Sequence, residues 1–522
     1  MTDRQRIVVV TGGGGGIGAA IAESIATAGA FVVTVDPLVS VDGAARLPEP
    51  EETTAGRIVA AGGAARASGV SVTDGPGLRG LFDDLAAEFG GLDAVVNVAG
   101  ISRPTGFATG SREDWRTVLD VHLNGYRNVL AAALPLMASA GRGHILGVTS
   151  GSGWRSADAG AYGCAKRAVA SLTWQLGRTA PDGVVVNAVS PIAATRMVAA
   201  ALGGNASGTG TPKSTATGGL SLGSMPAPED LGPLGAHLVD GAFDACRGRV
   251  LFAGGSEVAV IDEPRLIEVV RNADVPAPAH LTEAATTIAL APAQAGQVSR
   301  GGSNARFGSL FDAAPSDALP ASVTTTCAIV SDRPDVIAAV TTALTSRRVS
   351  CRTVTAPDEL GDVDAVVIAS AGPSSSPGAG WERVLAEHDG IAEHIEADAQ
   401  WSRAVADLDR PVRIVTVTDA TTAGGRSRAQ AAAQLARAGR KATGNRVLPF
   451  AVSTEAVHVD AELIAHLVCS PAADDLGGAE LVTGLGWFGL RSHPRPIGSI
   501  SFGGPAVPSW FDDALQEVVG PR

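Results

Sequence analysis

Hydrophobic positions in this chain fall into two kinds of run. The first kind is short, continuous and rich in β-branched residues: Ile7–Val10, Phe31–Val35, Ala94–Asn97, His144–Thr149 and Val184–Val189. These runs are too brief for buried helices and too uniformly apolar for strands with one wet face. They predict strands covered on both sides. The second kind is longer and Ala/Leu-rich, and predicts helices over Ile17–Ala28, Gly77–Phe89, Trp115–Ala140 and Ala161–Arg178. Alternating strands and helices build βαβ units, hence an α/β fold with a doubly wound parallel sheet. A closing strand, Arg249–Ala253, runs into the turn at Gly254 and Gly255.

The second half repeats this pattern. Asp93–Gly100 reads DAVVNVAG and Asp364–Gly372 reads DAVVIASAG; His144–Ser150 reads HILGVTS and Arg413–Asp419 reads RIVTVTD. Cys327–Val330 stands where Ile7–Val10 stood. Similar runs in one order suggest a duplicated domain, giving two tandem copies of the fold. The expected layout is a first domain over residues 1–265, a linker over 266–320 and a second domain over 321–522. Residues 203–228, rich in Gly, Ser and Thr, predict a loop. Ala, Pro, Gly and polar residues mix from about 270 to 318, with a short helix around Leu281–Leu290.

Composition narrows the function. The 522 residues carry 40 basic and 53 acidic side chains, a net charge of −13, which argues against nucleic acid or an anionic membrane as partner. Aromatic residues are only 4%, so aliphatic side chains must fill the cores. The five cysteines (Cys164, Cys246, Cys327, Cys351 and Cys469) are scattered, with no C-x-x-C pair, so neither a disulfide framework nor a metal site is expected. With no leader-like segment and no apolar run of spanning length, a cytoplasmic location is the expectation.

Two clusters carry chemistry. Thr11–Gly18, TGGGGGIG, lies between a predicted strand and helix. Glycines there allow a tight turn and close approach to a pyrophosphate, whose charge then meets a helix N-terminus, as in Rossmann-like folds. Asp36 ends the next strand, where a carboxylate can bond a ribose 2′-hydroxyl and repel a 2′-phosphate, favouring NAD over NADP. The second cluster is Tyr162 with Lys166, four residues apart on a predicted helix and so on one face. The chain holds only two tyrosines, so the pairing is informative. A phenol is a poor base at neutral pH, and an adjacent ammonium is expected to lower its pKa.

These motifs resemble the short-chain dehydrogenase/reductase family. The match rests on Thr11, Gly12, Gly16 and Gly18, the Asn97-Val98-Ala99-Gly100 strand end, Ser150, Tyr162, Lys166, and Asn187–Pro191 followed by Thr195. It covers roughly residues 5–257. The resemblance implies that Ser150 bonds the substrate oxygen, Tyr162 exchanges its proton, and Lys166 holds the nicotinamide ribose and tunes Tyr162. It further implies cofactor contacts from Gly12, Gly16, Ile17 and Gly18, and from Asn97, Ala99 and Gly100 on the adenosine side. Ser71 and Val72 would meet adenine, and Ile192 and Thr195 the carboxamide.

Three positions depart from the family's pattern. His122 stands where an asparagine usually supports the proton relay, Ser71 opens a segment that often begins with Asp, and Ile192 replaces a common glycine. Histidine can itself relay protons. The second half has no tyrosine, no glycine cradle after Cys327–Val330, and Asp419 where the serine would stand. It is expected to be a degenerate, non-catalytic copy. The expected function is interconversion of a small secondary alcohol and a ketone with NAD(H). A 3-oxoacyl thioester reductase and a non-catalytic NAD-binding scaffold or sensor are the rivals. Two chains, each imitating a dimer, would pair into a homodimer. Arg196 and Lys213 are basic residues of the presumed lid, 196–228.

Overall fold

The computed structural model describes residues 4–155, 158–201, 225–272, 274–297, 310, 311, 314, 319, 321–372 and 374–520. Most of the presumed lid, with Lys213, lies outside them. Among the described residues the strands form two sheets. The first holds β1 (Ile7–Thr11), β2 (Phe31–Val35), β3 (Ala64–Ser68), β4 (Ala94–Asn97), β5 (Gly143–Val148), β6 (Val184–Pro191), β7 (Val250–Gly254) and β8 (Glu257–Asp262). The second holds β9 (Leu266–Arg271), β10 (Thr326–Val330), β11 (Ser350–Thr353), β12 (Ala365–Ile368), β13 (Val412–Asp419), β14 (Val447–Thr454), β15 (Glu480–Gly484) and β16 (Trp487–Arg491). A last strand, β17 (Arg495–Ser501), returns to the first sheet.

Read across, the first sheet runs β3-β2-β1-β4-β5-β6-β7-β8-β17 and the second β11-β10-β12-β13-β14-β15-β16-β9. Strands β1 to β7 pair in parallel, with Val8 facing Val32 on one side and Ala94 on the other. Such strands need apolar residues on both faces, and β1 and β5 are buried throughout. Strands β8 and β17 close the first sheet antiparallel, as β16 and β9 close the second.

The closing strands are exchanged between the halves. Strand β9 follows β8 in the chain yet pairs with β16, while β17 follows β16 yet pairs with β8. The chain therefore crosses between the sheets twice. Beyond β17, the helix Phe511–Val519 buries Phe511 and Leu515 with Ile21 and Leu234 of the first half. The region read as a linker thus opens with a strand and continues as a helical segment over Ala279–Gly296 with a π turn at Thr286–Leu290. The pattern hides β9 because Val270 alone is buried in it.

Helices cover both faces, and two of them join the halves. The helix Gly160–Thr179 is buried at every position from Gly160 to Leu176 except Tyr162. It packs along the Ala-rich helix Ala423–Ala442, and one hydrophobic cluster runs from Ile7 and Trp115 through Cys164 to Ala431 and Val447. The expected single helix Trp115–Ala140 is instead Arg112–Leu119, a π turn at Asp120–Asn124, and Gly125–Ala140. His122 sits in the π turn, where the extra residue per turn re-aims a side chain.

Candidate active site

The loop after β1 is closely fitted to its neighbours. Gly12 has φ +67°, and a Cβ there would lie 2.7 Å from the backbone nitrogen of Ala99. A Cβ on Gly18 would lie 2.2 Å from the Gly12 carbonyl oxygen. Both positions therefore require glycine. The helix Gly16–Thr27 begins at this loop with no acidic residue in its first turn, which leaves its amide end free for an anion. At the end of β2, Asp36 accepts from Gly14 N at 3.0 Å and Leu38 N at 2.8 Å. These bonds aim its carboxylate along the loop.

A cavity of about 1120 Å³ opens at the carboxyl ends of β1, β2, β4, β5 and β6, the crevice where open α/β sheets bind ligands. Gly12, Gly16, Ile17, Asp36, Ser71, Val72, Ala99, Gly100, His122, Ser150, Tyr162, Lys166, Ile192 and Thr195 all line it. Two expected residues do not. Gly18 packs against the loop backbone, and Asn97 is buried with its Oδ1 accepting from the Thr11 hydroxyl at 2.7 Å.

Tyr162, Lys166 and Ser150 converge beside the cavity. Ser150 follows β5, and its hydroxyl accepts from Ser152 N at 3.2 Å and bonds the Tyr162 phenol. The Lys166 Nζ lies 5.6 Å from the Tyr162 ring centre and donates to the Val148 carbonyl at 2.7 Å. Burial holds its pKa down at about 7. Burial also pushes the Tyr162 phenol up, only partly offset by the bond with Ser150. The expectation of a depressed phenol is thus reversed, because desolvation outweighs the bond with Ser150.

The His122 ring packs edge-on against Tyr162, with centres 5.0 Å apart and planes at 88°. Its Nε2 lies 2.7 Å from the Ile101 carbonyl and 3.2 Å from the Ile101 N–H, so Ile101 engages this one nitrogen through both backbone groups. Nδ1 is buried and without a hydrogen-bond partner among the described residues. Burial, reinforced by Lys166, holds the imidazole well below its usual pKa and so neutral. A buried, unpartnered ring nitrogen beside Tyr162 marks a place for a water or a ligand hydroxyl. Asn124, by contrast, bonds Asp120.

The remaining walls come from residues the motifs do not reveal. Trp154 and Arg155 follow Ser150, Phe252 lies on β7, Ala259 and Ile261 on β8, and Pro496 on the exchanged strand β17. The guanidinium of Arg155 forms no ion pair among the described residues. Arg196 reaches the glycine loop, with Nη2 3.6 Å from where a Gly15 Cβ would stand. Nothing in the sequence of β17 announces a cavity residue, since only the strand exchange brings it there.

The corresponding end of the second sheet is closed by its own polar groups. Ser331 donates to the Ala369 carbonyl at 2.7 Å, and Asp332 accepts from Ala371 N at 2.7 Å. Asp419 caps Thr421, while Arg428 grips Asp398 with two bonds and reaches the Ala371 carbonyl.

Residues 6–203 match the family described as short chain dehydrogenase. The chain is 34% identical over 233 residues to the short-chain reductase protein NovJ of Streptomyces niveus, covering 44% of this chain and 84% of that protein. It is also 34% identical over 261 residues to the cis-4-hydroxycyclohexanecarboxylate dehydrogenase of Sinomonas cyclohexanicum, covering 49% of this chain and 98% of that one. A solved structure, a putative NAD(P)-dependent gluconate 5-dehydrogenase from Beutenbergia cavernae with bound NADP, shares 30% identity at a TM-score of 0.41, covering 49% of this chain and 97% of that one. With relatives matched over nearly their whole length and the motif residues gathered at one cavity, the chain belongs to the short-chain dehydrogenase/reductase family of oxidoreductases, which bind nicotinamide cofactors.

Proposed function

We propose that the chain interconverts a secondary alcohol and a ketone by hydride transfer with NAD(H). The observation that carries this reading is the convergence of Tyr162, Lys166 and Ser150 on one side of a cavity whose other side is the glycine loop. When bound, the nicotinamide supplies the hydride acceptor or donor. Gly12, Gly16 and Ile17 would hold its pyrophosphate and Asp36 its adenosine ribose. Ser71 and Val72 would meet the adenine, Asn97 to Gly100 back the adenosine side, and Ile192 and Thr195 face the carboxamide.

Within that frame, Ser150 holds the substrate oxygen while Tyr162 takes or gives its proton. Restoring the acidity of the buried phenol falls to the Ser150 hydroxyl and a protonated Lys166. His122 takes the position of the family's relay asparagine, offering Nδ1, which has no partner among the described residues. Apolar walls at Trp154, Phe252 and Ile261, with Arg155, which has no ion pair among the described residues, favour a substrate with a hydrocarbon body and an anionic group. The named substrate of the Sinomonas relative is of that kind.

The test is turnover of secondary alcohols, cis-4-hydroxycyclohexanecarboxylate among them, by wild type and Tyr162→Phe, with NADH and NADPH binding measured beside it. The variant is expected to bind cofactor normally and to lose turnover by on the order of 10²–10⁴. Equal turnover by both proteins would remove the reading.

A further inference from the structure

The loop behind Ser150 is held from the other half of the chain. Residues Gly151–Gly153 form a single 3₁₀ turn, and Ser150, Gly151, Ser152, Trp154 and Arg155 all line the cavity. The Gly151 carbonyl accepts from Trp154 N and Arg155 N within the loop, while the carbonyls of Ser152, Trp154 and Arg155 accept from the helix Ala423–Ala442. There Gln434 donates through Nε2 to the Ser152 carbonyl at 3.0 Å and to the Arg155 carbonyl at 2.9 Å. Arg437, one turn on, donates to the Trp154 carbonyl at 2.5 Å.

Gln434 is itself fixed, because its Oε1 accepts from Arg167 Nη1 at 3.3 Å. Arg167 is fully buried and also bonds Gln430 and Glu480. It is the residue after Lys166, so the two point different ways from one helix, Lys166 to the cavity and Arg167 to the opposing half. Gly163 completes the fit, since a Cβ there would stand 2.9 Å from the Ser152 carbonyl and 3.6 Å from Gln434 Cγ.

We infer that Gln434 and Arg437 are positioning residues for the oxidoreductase site, setting the shape of its substrate side through three carbonyls of the 152–155 loop. The inference rests on the function proposed above, and it gives the second half a defined part in that function. Neither residue reaches the cavity. Both act through Ser150, Trp154 and Arg155, whose side chains would drift if their carbonyls were released. The glycine loop and Asp36 are held by bonds within the first half and are independent of this clamp.

Gln434→Met keeps the length of the side chain and removes both donors, Arg437→Met removes the third, and Arg437→Lys keeps a donor. Hydrogen exchange of the 151–155 amides, read by mass spectrometry on the full chain, is expected to quicken by about tenfold or more in the two methionine variants. Steady-state kinetics with the alcohol panel are expected to show kcat/KM for the alcohol falling by on the order of ten- to a hundredfold, since misplacement of a positioned group by about 1 Å is costly. NADH affinity should stay within about twofold, and Arg437→Lys should restore most of the rate. Unchanged exchange in Gln434→Met overturns the clamp whether or not the protein turns over alcohols. Quickened exchange with unchanged kcat/KM in an active enzyme overturns the positioning role. A wild type that turns over no alcohol removes the proposed function, while the exchange result still decides the clamp.

Discussion

Lys166 is an amine almost wholly buried in the cavity wall, and its electrostatics make a stability prediction as well as a functional one. Burial lowers its pKa from 10.5 to about 7 in the folded chain. Between those values the unfolded chain binds more protons than the folded one, so stability contributed by this group rises with pH across that window. Below about 7 both states are charged and the penalty is constant. Urea unfolding of wild type and Lys166→Met should therefore diverge in favour of wild type as pH rises from 7 to 9, by up to about 1.4 kcal/mol per unit. A difference that does not change with pH would show that Lys166 stays charged in the fold. Asp36 makes the second prediction at this scale. Its carboxylate lies along the glycine loop, where a 2′-phosphate would be repelled, so Asp36→Asn should raise NADPH affinity relative to NADH by about tenfold or more. Titrations that leave the ratio unmoved would assign the preference elsewhere.

Among the elements, legibility followed burial. Strands β2 and β4 coincide with their predicted limits because short, mostly apolar and β-branched runs mark strands buried on both faces. The Tyr162–Lys166 helix and the glycine loop were equally plain, since each chemical requirement fixes residue types at a set spacing. Strand β3, with three alanines and two polar residues, left no such trace. Neither did β9 or β17, which lie at sheet edges with most of their residues exposed. Which sheet an edge strand joins depends on partners hundreds of residues away, so the exchange of β9 and β17 was invisible, and Pro496 with it. The consequence is testable. Residues 1–265 form one continuous stretch but leave β8 without β17 and uncover the surface against which Ile500, Phe511 and Leu515 are buried. Burial of each such side chain is worth about 1.5–3 kcal/mol. That fragment should be insoluble or molten alone, and adding residues 495–520 in trans or by fusion should recover a cooperative unfolding transition. A fragment that melts cooperatively without them would show that the exchange is dispensable.

At the scale of the whole molecule, the halves meet through a buried polar network set in a continuous apolar core. Glu480 accepts from Arg167, from His493 at 2.8 Å and from Gln430 at 3.1 Å. Burial alone would raise its pKa, but Arg167 and His493 hold it down at about 2. Burial keeps the His493 imidazole below its ordinary pKa, which suits a neutral ring that donates through Nδ1 to Glu480 and accepts from Gln294 at Nε2. A carboxyl depressed from 4.5 to about 2 contributes stability that is present above 4.5 and lost as pH falls toward 2, because the unfolded chain takes up the proton first. Acid should therefore loosen the contact between halves, and with it the loop clamped by Gln434. Glu480→Gln alone leaves the Arg167 charge buried without its counter-ion and should cost about 3–5 kcal/mol at pH 7. Changing both Arg167 and Glu480 to Met should cost less than that single change, since no charge is then stranded. The double variant should also lose stability less steeply than wild type between pH 4.5 and 2 in denaturant titrations. If both proteins lose stability in parallel over that range, the acid sensitivity of the joined halves comes from other carboxylates, and the Arg167–Glu480 pair only fills space between the helix Gly160–Thr179 and β15.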